Sequence, residues 1–160
     1  MNIFVLDQDP EKAAQYHCDK HVVKMILETA QIMSTVVISK LPKAADVLYK
    51  PTHRNHPCTL WAGESLDNFL WLSALGLNLC EEFEYRYDKV HKSKAVIQNA
   101  LTLGAMGILN WDKDELTPFA QAMPLEYQNG NPVKAYRDYY RYEKTKLLTY
   151  TRRRKPQWLE

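Results

Sequence analysis

Polar side chains recur at helical spacing near the start of the chain, in the segment HCDKHVVKMILETAQ. They are separated by four, three, four and three residues, so on an α-helix they form one row along a single face. The row consists of His17, His21, Lys24, Glu28 and Gln31, with Lys20 at its edge. An amine beside a carboxylate and imidazoles is a set that suits acid–base or Schiff-base chemistry.

The lysines of this row have a physical reason to be reactive. Positive charges that are crowded together favour the neutral form of an amine, and the neutral amine is the nucleophilic form. Glu28 lies one turn beyond Lys24 and could hold its ammonium group or accept its proton. We therefore predict a catalytic set of His17, His21, Lys20, Lys24 and Glu28. The alternative is a buried ion-pair strip that only fixes helix packing.

The helix that carries this row is predicted to be central. Apolar residues occupy most of its circumference, whereas an ordinary surface helix has a narrow apolar stripe and a broad polar face. Its polar strip should therefore line a cleft or a buried network. Asp9-Pro10-Glu11 supplies an N-cap, a first-turn proline and an acid, so we predict a helix from Pro10 to about Val37.

A second candidate site precedes the next predicted helix. His53-Arg54-Asn55-His56 stands immediately before Pro57, and the exposed N–H groups at the start of a helix attract anions. We predict that His53, Arg54 and His56 bind a phosphate or carboxylate group. The alternative is a helix cap beside a solvated arginine.

The histidines of these two segments could instead bind zinc. His17 and His21 have the H-x-x-x-H helical spacing, and His53 and His56 could complete a tetrahedral set. Against this, two lysines beside the helical pair would repel a dication, and the H-E-x-x-H pattern is not present. We therefore predict no metal site. P-loop, G-x-G-x-x-G and C-x-x-C motifs are also missing, so no cofactor is predicted.

Basic and aromatic residues concentrate near the C-terminal end. Residues 134–155 hold nine of the Lys and Arg residues against two acids, together with five of the ten tyrosines. Phosphates attract cations and bases stack on aromatic rings, so DNA or a nucleotide is the predicted partner; a tyrosine stripe alone would indicate core. Besides the residues before Pro57, the candidate binding residues are Arg86, Lys92, Gln121, Tyr136, Arg137, Tyr140 and Lys144.

The pattern of apolar residues predicts an all-α protein. The 160 residues, 46% hydrophobic and 25% charged, suit a single compact domain over residues 1–160. MNIFVLD could be a strand or an extended packing arm. About four main helices are predicted, with long irregular loops, a short helix at 44–49, and a basic C-terminal helix and tail: 10–37, 57–87, 93–104 and 132–148.

Three cysteines, an odd number, lie within apolar helical patterns. We predict that Cys18, Cys58 and Cys80 are reduced core residues of a cytoplasmic protein. No apolar run reaches the roughly 18 residues that span a bilayer, and the N-terminus lacks the basic region of a signal peptide, so no membrane association is predicted. The pattern does not indicate an oligomeric state.

Several segments together resemble a small uncharacterised family of tailed-phage proteins. They are DxDPxxAAQ, CDKHVVKMILETAQ, NHPCTLWA, KVHKS, TPFAQAMP and AYRxYY. A more distant resemblance is to the pyrimidine-dimer DNA glycosylases, on the short N-terminal segment, the polar-striped helix, His-Pro-x-x-x-Trp and the aromatic-basic end. That family consists of small all-α repair enzymes. An amine nucleophile and a helix-borne glutamate cleave a glycosidic bond and then, by β-elimination, the strand.

The resemblance implies that Glu28 supports the sugar intermediate, with the polar residues before it near the sugar or phosphates. The family's nucleophile is the α-amine of a small second residue, which is exposed when the initiator methionine is removed. Residue 2 is Asn here, which normally leaves Met1 in place. The amine is then that of Met1, Lys20 or Lys24, or the lyase reaction is not performed.

We therefore expect a phage-type DNA glycosylase and lyase that acts on a damaged or modified base, in the host cytoplasm if phage-encoded. One alternative is a nucleotide-binding counter-defence protein that sequesters a nucleotide signal without chemistry. A further alternative is a phosphodiesterase that uses His17 and His21 as acid and base.

Overall fold

The computed structural model describes residues 1–160, and its regular elements are helices. The prediction of an all-α protein is confirmed. The α-helices are α1 (Pro10–Tyr16), α2 (Asp19–Lys40), α3 (Pro57–Glu64), α4 (Leu66–Tyr87), α5 (Lys94–Ala105) and α6 (Pro132–Glu143). Short 3-10 helices lie at Pro42–Val47, Leu125–Tyr127, Thr145–Leu147 and Gln157–Leu159.

Helix α2 is the centre of the fold, as the narrow polar strip predicted. It packs against α3, α4 and α5, and most of its apolar residues belong to one core of 30 buried residues. By length and composition alone α2 could also cross a membrane, but 72% of the apolar window is buried inside the protein. It has the position of a core helix. The three cysteines are free and buried, as predicted.

Two of the predicted long helices are each broken into two. The first stops at Tyr16 because His17 and Cys18 adopt extended backbone angles, with ψ of 134° and 161°. The second is interrupted by Ser65, whose φ and ψ are −140° and 157°. The Ser65 hydroxyl accepts a hydrogen bond from the Asn68 N–H at 3.0 Å, so this serine caps a new helix. Both breaks change which residues share a helix face.

The first seven residues form an extended arm rather than a paired strand. Ile3, Phe4, Val5 and Leu6 are buried. The arm lies between α2 and α6, because Phe4 packs on rings from both helices and the Leu6 carbonyl accepts from Arg137 Nε at 2.8 Å. The arm thereby carries the chain N-terminus to the middle of α2.

The final helix ends earlier than predicted. α6 stops at Glu143 instead of Leu148, and the chain then turns back towards the start of α2. The Thr149 carbonyl accepts from the Asp19 N–H at 2.9 Å, and the Thr151 hydroxyl bonds the Asp19 carboxylate at 2.9 Å. These contacts fasten the basic tail to the helical body.

Candidate active site

The chain N-terminus meets a carboxylate on α2. The Met1 α-amine lies 3.9 Å from Oε2 of Glu28, and the Asn2 N–H donates to the same oxygen at 2.8 Å. Lys24 Nζ lies 3.4 Å from Oε1. Glu28 is only 7% exposed, so the α-amine and the lysine offset the cost of burying its charge. An amine and a carboxylate are therefore held together at this point.

The Asn2 side chain fixes the backbone beside this amine. Its Nδ2 donates to the Ala122 carbonyl at 2.9 Å, while its Oδ1 accepts from the Ile3 N–H at 2.8 Å. The Tyr136 hydroxyl also reaches Oδ1, at 3.1 Å. Residue 2 is thus tied to the loop before α6 and to α6 itself.

The start of α3 forms another wall of the site. His56 is the N-cap, and its Nδ1 accepts from the Cys58 N–H at 3.1 Å. Burial lowers the pKa of His56, the N-terminal ammonium and His53 lower it further, and Glu28 opposes them. His56 therefore belongs to the same electrostatic environment as the amine and the carboxylate. The two sites that the sequence predicted separately are brought together in the fold.

An open cavity of about 450 Å³ lies between α2 and α3. Thr59 lines it and also lies 4.0 Å from the Met1 sulfur, so the cavity adjoins the N-terminus. Arg54 lines it as well, is exposed, and has no ion-pair partner. An unpaired guanidinium at this edge is suited to bind phosphate.

His17 and His21 lie in the core, and their burial does not support the catalytic role that the sequence predicted. His17 Nδ1 is 2.6 Å from the Ala13 carbonyl, and His21 Nδ1 is 2.8 Å from the Tyr140 hydroxyl. Phe4 stacks on His21 at 4.5 Å. Burial lowers the pKa of His17 to about 4 and, together with nearby positive groups, that of His21 to about 3. Both side chains are buried and bonded to groups of the core, so neither ring is presented to a ligand in this structure.

Three side chains that the sequence predicted as DNA contacts are buried in the structure. Arg86 is enclosed and bonds Glu82 at 2.8 Å and Asp19 at 3.0 Å. Tyr136 and Tyr140 are fully buried on the inner face of α6. The tyrosine stripe is core, since the face of α6 that carries it packs on the arm and on α2.

The other candidate cationic residues differ in whether their charged groups already contact other groups of the protein. Lys20 and Lys92 are exposed and have no ion-pair partner, and Lys144 Nζ lies 4.8 Å above the Tyr139 ring. Arg137 bonds the Leu6 carbonyl and Asp7, so it anchors the arm.

Gln121 closes a loop through two bonds to the Asn129 backbone, at 2.6 and 3.0 Å. This side chain is therefore occupied in holding the loop. His53 is exposed, and its Nδ1 lies 2.7 Å from the Thr52 hydroxyl. The four histidines do not converge, and no group of three or more potential metal ligands is present.

Sequence reasoning missed the side chains that hold the N-terminus. Asn2, Tyr136 and Cys58 come from distant parts of the chain, and no local spacing relates them. The resemblance directed attention to an N-terminal amine and to Glu28, and the fold shows that Met1 lies 3.9 Å from this carboxylate.

One comparison with known proteins gives a match. The sequence profile of the family described as pyrimidine dimer DNA glycosylase matches residues 1–95. The matched range includes Met1, Glu28 and His56, whereas α6 and the basic tail lie outside it. No curated protein and no solved structure matches the chain.

Proposed function

The chain belongs to the pyrimidine dimer DNA glycosylase family, and we propose that it is a glycosylase and lyase whose nucleophile is the Met1 α-amine. The family gives it a DNA-glycosylase-like function with DNA as the substrate. The observation that carries the proposal is the 3.9 Å separation of the α-amine from Glu28. This pair supplies the two groups that the chemistry requires.

In the proposed reaction the neutral amine attacks C1′ of the damaged nucleotide. A C–N bond forms while the bond from C1′ to the base breaks, and the base leaves with the electron pair and takes up a proton. The amine then loses a proton, and its lone pair forms a C=N bond as the C1′–O4′ bond breaks. O4′ leaves with the electron pair and takes up a proton, which gives a ring-opened iminium ion. Removal of a proton from C2′ then expels the 3′ phosphate by β-elimination. Glu28 is within reach to accept the amine proton and to stabilise the cationic intermediate.

The Met1 amine is favoured over the lysines by its fixed position. The side chain of Lys24 is 65% exposed and Lys20 is exposed, so each must lose freedom to attack. The α-amine instead lies at the end of a buried arm. A nucleophile that is already oriented avoids that entropy loss at the moment of reaction.

The DNA is proposed to lie across the start of α3 and the neighbouring exposed part of α2. His53, Arg54 and Lys20 are exposed there, and neither Arg54 nor Lys20 has an ion-pair partner. Pro57 has no N–H, and the Cys58 N–H already donates to His56 Nδ1. The Thr59 N–H in the first turn of α3 therefore adds to the attraction for phosphate. Such contacts position the DNA without reading its sequence. We also propose a phage origin and action in the host cytoplasm, and the resemblance to phage proteins is the only support for these two points.

Borohydride trapping tests the proposal. The protein is incubated with labelled abasic or ultraviolet-damaged duplex, or undamaged duplex, and the iminium is reduced to a stable adduct. We expect an adduct with a damaged duplex, mapped to Met1. Lys24→Met should still form it, whereas a protein acetylated at its N-terminus should not. Absence of any adduct from folded protein would overturn the proposal, and an adduct at Lys20 or Lys24 would reassign the nucleophile.

The same experiment bears on the alternatives. A nucleotide-sequestering protein would yield no adduct and would release an intact nucleotide on denaturation. The phosphodiesterase alternative requires His17 and His21 in contact with a ligand, and the burial of both side chains does not support it.

A further inference from the structure

We infer that Tyr136 is a positioning residue that holds the Met1 amine against Glu28 through the side chain of Asn2. This inference rests on the proposed function. It gives α6, which lies beyond the range of the family match, a part in the chemistry. The contact depends on one buried hydroxyl group and one amide.

The Tyr136 hydroxyl is the meeting point of three segments. It lies 3.1 Å from Asn2 Oδ1 and 2.8 Å from the Ala120 carbonyl, which share its proton, and it accepts from the Ala122 N–H at 3.1 Å. The ring is fully buried and packs edge-on against Phe4 at 5.9 Å. The arm, the loop at 120–122 and α6 are therefore joined at one atom.

Asn2 connects the Tyr136 hydroxyl to the candidate active site. Its amide is held from two sides, by the Ala122 carbonyl and by the Ile3 N–H, and its own N–H bonds Glu28. The next group along the backbone is the Met1 amine. Loss of the Tyr136 hydroxyl removes one anchor and allows the first two residues to move relative to the carboxylate. A misplacement of about 1 Å can lower a rate about a hundredfold.

The test compares Tyr136→Phe with Tyr140→Phe. Both residues are fully buried tyrosines on α6, one turn apart, and each loses only a hydroxyl. The Tyr140 hydroxyl bonds the Cys18 N–H at 3.0 Å and His21 at 2.8 Å, so it supports the core and not the N-terminus. This variant therefore reports what a purely structural loss does.

Two readouts are measured on both variants. For Tyr136→Phe we expect the single-turnover trapping rate to fall about 10- to 100-fold, with the Kd for damaged duplex within about twofold of the wild type. Without DNA, the rate of reductive methylation at the Met1 amine should differ from the wild type. Tyr140→Phe should retain both rates while losing at least as much thermal stability. Asn2→Leu, which removes the amide and keeps Met1, should reproduce the Tyr136→Phe result if that variant folds poorly.

Equal trapping rates in the two tyrosine variants, whether unchanged or lowered, would overturn the inference. If the wild type forms no adduct, the proposed function fails, and methylation of the Met1 amine then decides on positioning. A methylation rate altered by Tyr136→Phe but not by Tyr140→Phe would support the positioning role, and equal rates would reject it.

Discussion

The polar row that begins at His17 has two ends in opposite surroundings. At one end, His17 and His21 are buried, and Phe4 and Tyr140 pack on the His21 ring. At the other end, Glu28 meets the Met1 amine and an exposed lysine. Both ends are polar and at helical spacing in the sequence, yet one is core and the other is the candidate active site.

The extended arm accounts for the difference. Its fourth residue is an aromatic ring that excludes water from the histidines, which remain neutral because charging them there is unfavourable. Its first residue carries a charge that must be paired, and Glu28 supplies the partner. A row of polar residues at helical spacing therefore does not by itself indicate a functional site. Its role depends on what the rest of the chain places over each turn.

The largest expected effect comes from removing the carboxylate at the site end. Glu28→Gln keeps the side-chain shape but cannot accept a proton, so base excision in single turnover should fall by about 10²- to 10⁴-fold. The Kd for damaged duplex should stay within about threefold. Glu84→Gln, on the surface near Lys94, is the control and should leave both unchanged. Excision at the wild-type rate in Glu28→Gln would mean that the site end is no more catalytic than the core end.

At the core end of the row, the two buried histidines should cause the free energy of unfolding to fall in acid. The folded pKa values of about 4 for His17 and about 3 for His21 lie below the ordinary 6.5, so the unfolded chain takes up protons first as the pH falls. The stabilisation is complete above about pH 6.5 and declines towards pH 4 and below, by about 1.4 kcal/mol per pH unit for each histidine.

Urea unfolding between pH 7 and pH 4 measures this decline. His17→Gln should remove about half of the slope of unfolding free energy against pH, whereas His53→Gln, at an exposed position, should leave it unchanged. A wild-type slope in His17→Gln would show that the core end of the row does not control acid stability.

A substitution at the N-cap of α3, close to the Met1 amine, should have a smaller effect, on the free energy of unfolding. His56→Ala removes the N-cap acceptor of α3 and should lower the free energy of unfolding by about 1 kcal/mol. His56→Asn keeps a side-chain acceptor at the cap and should lose less than half of that, as measured by urea unfolding. Equal losses in the two variants would indicate that the imidazole stabilises the site by packing rather than by capping.

The smallest expected effect concerns phosphate contact at the rim of the site. Arg54→Gln should weaken binding of damaged duplex about two- to fivefold and reduce the slope of log K against log salt by about one. Arg152→Gln is a matched control, because Arg152 is exposed but already paired with Asp88 at 2.9 Å, and it should change the slope less. Identical slopes in the two variants would remove Arg54 from the DNA surface.

Local patterns predicted much of the fold. The start at Pro10 follows from Asp9 and proline chemistry, and the central place of α2 follows from its broad apolar surface. The breaks at His17–Cys18 and at Ser65 were missed. At both points the apolar periodicity continues through the break, and only packing decides that the axis changes direction.

The residues of the candidate site were likewise predicted only in part. Glu28, Lys24, His56 and Arg54 were found from spacing because each lies on or beside a helix whose periodicity is visible. Arg86, Tyr136 and Tyr140 were assigned to a DNA surface because residue type and local charge carry no information about burial. Ion pairs with Glu82 and Asp19 hold Arg86 in the core. Glu82 lies one turn before it on α4, but the distant partner Asp19 is not implied by the neighbouring sequence.

The sequence by itself determined the helical class, the central helix with its polar row, and the set of groups that could do amine chemistry. These are consequences of periodicity and of side-chain chemistry, which act over a few residues. Only the tertiary structure decided that the row is half core and half candidate site, and that the Met1 amine lies near Glu28 together with Lys24. These outcomes depend on contacts between residues far apart in sequence, such as Tyr136 with Asn2, 134 residues apart. Burial and charge pairing are set by such contacts and not by the local sequence.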